Sequence, residues 1–592
     1  MAEHYKLVLA LPEKVTDLQF PDITKLQPLD RDYDLLRERR DGGRNLSESD
    51  RTRLQLRSQF YEDLGVASLE EYCLGTEKDS YGTLRRSDTL EGRGISKVLQ
   101  AIRTFTTDVD LINYRLDVQD DLSVNPQLVS AMTQFYEKAL EAGEMNLDAY
   151  AIDHNRHRMR DQWGRYVYKK WDNLPKSFAI LDAAIDEFDS ALENTKSQGM
   201  REVRDFLNAV RGHPIYQGWT KYAGMVHEGG RYFVAFEYEP VDGAKVVIQI
   251  GPVMPQSKID QLLSTLPNAD GKLPHDLGEE VIVRRVTGLI RNEFGHLISE
   301  LTGLNFEPLA TFCDVLTRGM QEQFSFYAAL GKMYREWDKV GIEFSRPLFG
   351  QSDGVEMTGV IHPTIAAIAK KKDGYFMLND YNTNSKSNGI VVTGPNDGGK
   401  TASGKAFGLA IVLAQAGIRV PAKYFRMEKP VGEVYTHFII KEEVDDGKGR
   451  HKNELTRARK LCELLTPDDF LLFDEPCGGT DVPSGLQDSL SLLGYANQMN
   501  LPFIFTTHLH DLAKIVDEGR FVGIRNMQVE VLQEEEGNLV LTHQLIPGRA
   551  KESYGWRVSQ EVGVTVEQLN TLLQQRISKG TVDPSKLRGS QD

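Results

Sequence analysis

Cysteine is scarce. The four in 592 residues (Cys73, Cys313, Cys462, Cys477) have no paired spacing. That argues against a disulfide framework or a zinc site and fits a reducing cytoplasm. Positive charge is in deficit as well: the net charge is −16. A basic footprint over the whole molecule is excluded, so contact with nucleic acid would need a local patch. No apolar run is long enough to span a bilayer, and Met1-Ala-Glu-His-Tyr-Lys6 has no basic stretch leading into an apolar one, so neither a membrane span nor a secretory signal is expected. With 40% apolar and 26% charged residues, the composition is that of an ordinary soluble protein. The length calls for roughly two to four domains.

One stretch organises the rest. Gly394-Pro395-Asn396-Asp397-Gly398-Gly399-Lys400-Thr401 fits the phosphate-binding pattern G-x-x-x-x-G-K-[ST]. It follows the apolar run Gly389 to Thr393 and precedes helix formers from Ala402 to Ala416, giving the strand, loop and helix that the motif requires. Glycines let successive N–H groups turn onto phosphates, and the helix N-terminus adds a favourable dipole. Lys400 would reach the β/γ-phosphates and the Thr401 hydroxyl would ligate Mg²⁺, which makes ATP and Mg the expected ligands.

Two further blocks share this chemistry. Phe470 to Phe473 is an apolar strand ending in Asp474-Glu475; acids at the end of a buried strand need a cation or hydrogen-bonding partners. Asp474 suits the Mg²⁺ side and Glu475 suits polarising the attacking water. Phe503 to Thr507 is another apolar strand, closing on His508. Loop, acidic strand and histidine strand, in that order, resemble the arrangement in ABC-type ATPases, which implies that the histidine senses the γ-phosphate. Lys400, Glu475 and His508 are therefore the candidate catalytic set, with Thr401 and Asp474 on the metal.

Upstream the pattern is mostly helical from about 92 to 215. Leu111, Arg115, Val118 and Leu122 fall on one helix face, the leucines and valine reading as buried and Arg115 as snorkelling or paired. Arg156, Arg158, Arg160, Arg165, Lys169 and Lys170 interleave with Trp163, Tyr166, Tyr168 and Trp171. This is either a nucleic-acid surface or, as such runs more often are, the solvated edge of an amphipathic helix pair. Between Arg231 and Ile250 the period switches to two around Asp242-Gly243, which reads as a hairpin. Helical pattern resumes from Glu279 to about Lys339.

The C-terminal residues resemble the MutS family, ABC-type ATPases of DNA mismatch repair and recombination control. The resemblance spans about 340–575. It rests on Arg346-Pro347 with Ile361-His362-Pro363, Phe376-Met-Leu-Asn379-Asp380, Gly394-Pro395-Asn396 with Gly398-Gly399-Lys400, and Val420-Pro421-Ala422. Gly479-Thr480-Asp481, Thr507-His508, Asn526, His543 with Gly548, and Ser553-Tyr554-Gly555 complete the series. It implies that Phe376 and His543 flank the adenine and that Asn396, Lys400 and Thr401 hold phosphates and Mg²⁺. It also implies that two ATPase domains pair, as homodimer or heterodimer, each completing the partner's nucleotide. DNA, mismatched or branched, is the implied partner. Localisation would be cytoplasmic, at the nucleoid in a bacterium or in the nucleus of a eukaryote.

Departures from the family pattern set further expectations. About ninety residues precede the helical core, too few for a mismatch-reading domain and a connector together, so a short member without an intact mismatch-binding domain is expected. Phe60-Tyr61-Glu62 resembles the family's intercalating wedge. The triplet recurs at Phe135-Tyr136-Glu137, however, and lacks the preceding Gly-Asp, so it reads as a plain helix face. Glu454, twenty residues ahead of Asp474, matches a family glutamate. The signature serine that would reach the partner's γ-phosphate then falls at Gly449, next to Arg450, leaving the rate of hydrolysis open.

The expected fold is multidomain α and α/β, a helical core and lever followed by an ABC-type P-loop ATPase domain. Its expected parts are a reduced or divergent segment 1–90, a helical core and lever 91–339 with a small β-insert near 225–255, the ATPase domain 340–575 and a polar tail 576–592. The expected function is an ATP-driven switch of a DNA-binding dimer; the rival is an ATP-gated scaffold that does not bind DNA.

Overall fold

Apolar runs in the C-terminal half become the strands of one six-stranded sheet, in the order Val434–His437, Phe470–Asp474, Phe503–Thr506, Gly389–Thr393, Ile524–Gln533, Leu539–Pro547. Neighbours are parallel across the first five, and the last strand is antiparallel. Parallel strands are covered on both faces and so read as unbroken apolar runs; Gly389–Thr393, Phe470–Asp474 and Phe503–Thr506 are buried at every position. Gly389 lacks a side chain because the Phe503 ring of the adjacent strand occupies that space. A second, four-stranded sheet runs Leu348–Phe349, Tyr424–Met427, Val355–Val360, Asn379–Asn382.

This is a computed structural model. It describes residues 21–25, 56, 59–66, 68–69, 77–78, 84–85, 90–147, 163–213, 216–217, 220, 235–237, 247–249, 309–350, 352–438, 450–478, 480–533, 539–550, 559–560, 562–583 and 587. The chain forms two compact units. One comprises Met1–Lys25, Arg86–Val98 and Asn113–Gly331, the other Leu26–Arg85, Leu99–Ile112 and Lys332–Asp592. Helices dominate the first and the two larger sheets lie in the second, so the chain is mixed α/β.

In the helical unit, Pro126–Leu147 meets Trp163–Leu192 through Phe135 stacked on Phe188, ring centroids 5.2 Å apart. Phe324 closes on Phe188 edge-on. Ala235–Glu237 pairs antiparallel with Val247–Gln249. The helix Val109–Val124 differs from its expected stripe. Val118 is buried, but Leu111 and Leu122 are only partly so, and Arg115 is fully enclosed. Its guanidinium donates to the carbonyls of Thr24 (2.7 Å) and Lys25 (2.8 Å). Main-chain acceptors let the charge remain inside.

The sheet-bearing unit recruits residues from far upstream. Phe60 is buried on a helical segment against Phe105, a helix face rather than an exposed wedge. Leu64, fully buried, fills the space left by Gly408, where a Cβ would lie 2.8 Å from the Leu64 Cδ2. The Leu64 carbonyl accepts from His362 Nε2 at 2.8 Å, and Asp63 accepts from the Thr436 hydroxyl at 2.7 Å. Thr106 donates its N–H to the Gln415 carbonyl at 3.1 Å, at the end of helix Lys400–Gln415. That helix is enclosed on nearly every side, which explains its unbroken apolar composition.

Candidate nucleotide site

The loop between strand Gly389–Thr393 and helix Lys400–Gln415 is built from residues that tolerate unusual backbone. Gly394 has φ +148°, Asp397 +60° and Gly399 +92°. A Cβ on Gly394 would lie 2.8 Å from Val529 Cβ, and one on Gly398 2.9 Å from the Pro395 carbonyl, so neither position accepts a larger residue. Left-handed turns of this kind gather successive N–H groups into an anion-binding concavity. Asn396 and Asp397 are exposed. Lys400 is buried; its Nζ donates to the carbonyls of Gly394 and Pro395, each at 3.0 Å, and lies 3.3 Å from Glu475 Oε1.

The acidic pair meets this loop at the end of the next-but-one strand. Thr401 Oγ1 lies 2.9 and 3.0 Å from the two Asp474 oxygens, and Thr506 Oγ1 donates to Asp474 Oδ1 at 2.6 Å. Burial pushes the Asp474 carboxyl above its usual range, opposed by the Thr506 and Thr401 hydroxyls. Glu475 goes the other way: His508, its Nδ1 3.7 Å from Oε2, holds the carboxyl below its usual range, and the Lys400 ammonium adds to this. Adjacent carboxyls thus have separate chemistry. Asp474 is a buried acid short of positive charge, and Glu475 is an ionised one already supplied with it.

Thr401 and Asp474 present hard oxygen donors side by side, which suits Mg²⁺. Among the described residues no cluster of three or more His, Cys, Asp or Glu side chains is placed to hold a metal. Thr401 and Asp474 are the side chains that would hold a magnesium ion here.

On the other flank, register shifts between Val529 and Val531 where Ile524–Gln533 pairs with Leu539–Pro547. His543 sits in the resulting irregularity with φ +59°, and a Cβ on Gly399 would lie 3.4 Å from its Nδ1. The buried Asn379 anchors it: its amide nitrogen donates to the His543 carbonyl (3.1 Å) and to Ser403 (3.2 Å), while its oxygen accepts from Leu545 N–H (2.7 Å). Phe376 lines a cavity of about 350 Å³ with Val340, Lys370 and Tyr375; His543 does not line it.

Lys400, Thr401, Asp474, Glu475 and His508 are thus brought together, with His543 beside the loop. Gly449, Arg156, Arg158 and Arg160 lie outside the described residues, as do Gly479 and Ser553 to Gly555. Arg450 opens the helix Arg450–Leu464, and Arg165, Lys169 and Lys170 belong to Trp163–Leu192; their side chains are likewise outside the description. Sequence reasoning gave no role to Thr506, Asn379 or Glu454. The signal for Thr506 was available, since a hydroxyl ends the strand after the acidic one, and the parallel register sets Thr506 opposite Asp474.

A family model described as MutS domain V matches residues 390–575. The chain is 26% identical over 223 residues to a DNA mismatch repair protein MutS of Caldanaerobacter subterraneus, covering 38% of this chain and 25% of that one. It is 27% identical over 225 residues to the protein of that name from Solibacter usitatus, covering 38% and 25%. With the one from Symbiobacterium thermophilum the figures are 29% over 223 residues, 37% and 25%. The chain thus spans about a quarter of the length of the relatives it matches. The matched region holds the loop, the acidic pair and the histidine strand, and over that region this chain is similar to proteins of the MutS family.

Proposed function

We propose that the chain is a Mg²⁺-dependent ATPase that works as a nucleotide-switched, DNA-binding dimer in mismatch repair or recombination control. The observation that carries the reading is the meeting of Lys400, Thr401, Asp474, Glu475 and His508 at the ends of three neighbouring strands.

Each residue has a task that its surroundings support. Lys400 and the loop amides neutralise the phosphates. Thr401 and Asp474 would hold a magnesium ion, which would supply charge withdrawal at the phosphate oxygens. Glu475 stays ionised and accepts a hydrogen bond from the attacking water, orienting it in line with the γ-phosphorus. His508 sits against the same carboxylate and so feels whether a γ-phosphate is present. His543, beside the loop, would serve the base; Phe376, which the resemblance pairs with it, lines a separate cavity. Pairing of two ATPase domains would complete each site from the segment around Gly449 and Arg450. The helix Leu309–Lys339 would be the lever carrying that closure to the helical region and its DNA contacts.

The test is ATP hydrolysis with and without Mg²⁺, followed by binding to duplex, mismatched duplex and four-way junction, with and without ATP, across a salt series. Metal-dependent turnover, and affinity that falls steeply with salt and responds to ATP, are the expected results. Turnover without DNA affinity at low salt would remove the DNA half of the reading; no nucleotide binding would remove all of it.

A further inference from the structure

The turn after the acidic strand is held in an unusual shape. Glu475 has φ +49° and Cys477 φ +62°, two non-glycine residues in the left-handed region with Pro476 between them. Such backbone persists only where its surroundings over-determine it. On the sheet side, the Glu475 N–H donates to Thr506, 3.0 Å from its carbonyl and 3.2 Å from its hydroxyl. From helix Val482–Gln498, Ser489 Oγ donates to the Pro476 carbonyl at 3.2 Å. Gly485 leaves room for the Cys477 carbonyl, which a Cβ there would approach to 2.8 Å.

The remaining restraint comes from a different element. Glu454, on helix Arg450–Leu464, accepts the Cys477 N–H at Oε1, 2.8 Å away. A carboxylate accepting from a main-chain N–H is a strong, directional contact. The same helix is tied to Val482–Gln498 by His451 Nε2 to Asp488 Oδ2 (3.2 Å) and by Tyr495 OH to the Cys462 carbonyl (2.7 Å). Glu454 is the carboxylate that reaches into the turn, and it does so from the helix that begins next to Gly449.

We infer that Glu454 is a positioning residue that sets the Glu475 carboxylate through the Cys477 N–H, so that the seat of helix Arg450–Leu464 governs whether Glu475 is aligned for hydrolysis. The inference rests on Glu475 being the residue that orients the water. It adds a line from the segment expected to face a partner's nucleotide to the subunit's own hydrolytic carboxylate.

The experiment compares Glu454→Ala and Glu454→Gln in the full chain, with Glu475→Gln alongside. Readouts are kcat, the dissociation constant for a non-hydrolysable ATP analogue with Mg²⁺, the melting midpoint, and amide exchange over residues 474–478. Glu454→Ala should lower kcat at least about tenfold while analogue affinity stays within about twofold, and the turn should exchange faster. Glu454→Gln keeps an oxygen for the Cys477 N–H and should hold kcat within about threefold. The inference is overturned if Glu454→Ala keeps its kcat, or if kcat, affinity and melting midpoint fall together as in a merely structural loss. If Glu475→Gln turns over normally, the assignment of Glu475 fails and takes the inference with it; if it is inactive and Glu454→Ala is not, the inference alone fails.

Discussion

Asp474 and Glu475 are neighbours in the chain with opposite needs, and that contrast makes the site testable residue by residue. Burial works against the charged form of Asp474, and two hydroxyls, those of Thr401 and Thr506, favour it. Thr506→Val removes one of them from a buried carboxylate, and the Mg²⁺ concentration for half-maximal ATPase should rise about tenfold. An unchanged Mg²⁺ requirement would detach Thr506 from the metal. Lys400→Ala removes the buried ammonium over the loop; nucleotide affinity should drop by about a hundredfold or more, measured by calorimetry. A third prediction concerns pH. Burial pushes His362 down to about 4. It pushes His437 down to about 3, where the Arg457 guanidinium adds to the effect. Both are neutral in the native protein, whereas the unfolded chain takes up their protons once pH falls below about 6.5. The unfolded state then binds more protons, so stability should fall between about pH 6.5 and 4, by about 3 kcal/mol for His362 alone. Melting at stepped pH checks this, and His362→Asn should flatten the slope.

What the chain made legible at this scale were residues whose chemistry and place in a motif coincide: the loop lysine, the acid pair, the histidine after a strand. Thr506 and Asn379 escaped because their roles come from strand adjacency and from a register shift, which a linear reading does not contain. Arg115 is paired, one of the two alternatives its place on the helix allowed, but its partners were not legible because they are main-chain carbonyls about ninety residues away.

At the scale of elements, the helix Lys400–Gln415 is the part on which most else converges. Strands flanking it were readable as apolar runs, since parallel strands are covered on both sides. Its cover was not readable: Leu64 fills the notch at Gly408, more than three hundred positions earlier in the chain. Leu64→Ala should lower stability by about 2–5 kcal/mol, seen as a lower denaturant midpoint with the unfolding slope unchanged. A change within about 0.5 kcal/mol would mean that the notch closes without it.

At the scale of the whole molecule, a net charge of −16 works against any polyanion unless basic groups are concentrated locally. A binding slope against salt should therefore report only the few phosphates such a patch neutralises. Under the proposed pairing, Glu475→Gln with ATP and Mg²⁺ should sediment at twice the monomer mass. A monomer at saturating ATP would count against pairing through the ATPase domains.

The stretch that resembles its relatives and the body that holds together are different objects. Residues 390–575 carry the similarity, yet Leu64, Asp63 and Thr106 close the flank of the phosphate-loop helix and of its sheet. Anyone excising the C-terminal half for expression would strip away that flank and leave greasy surface facing water, so co-expressing the upstream piece should restore solubility where the bare fragment precipitates.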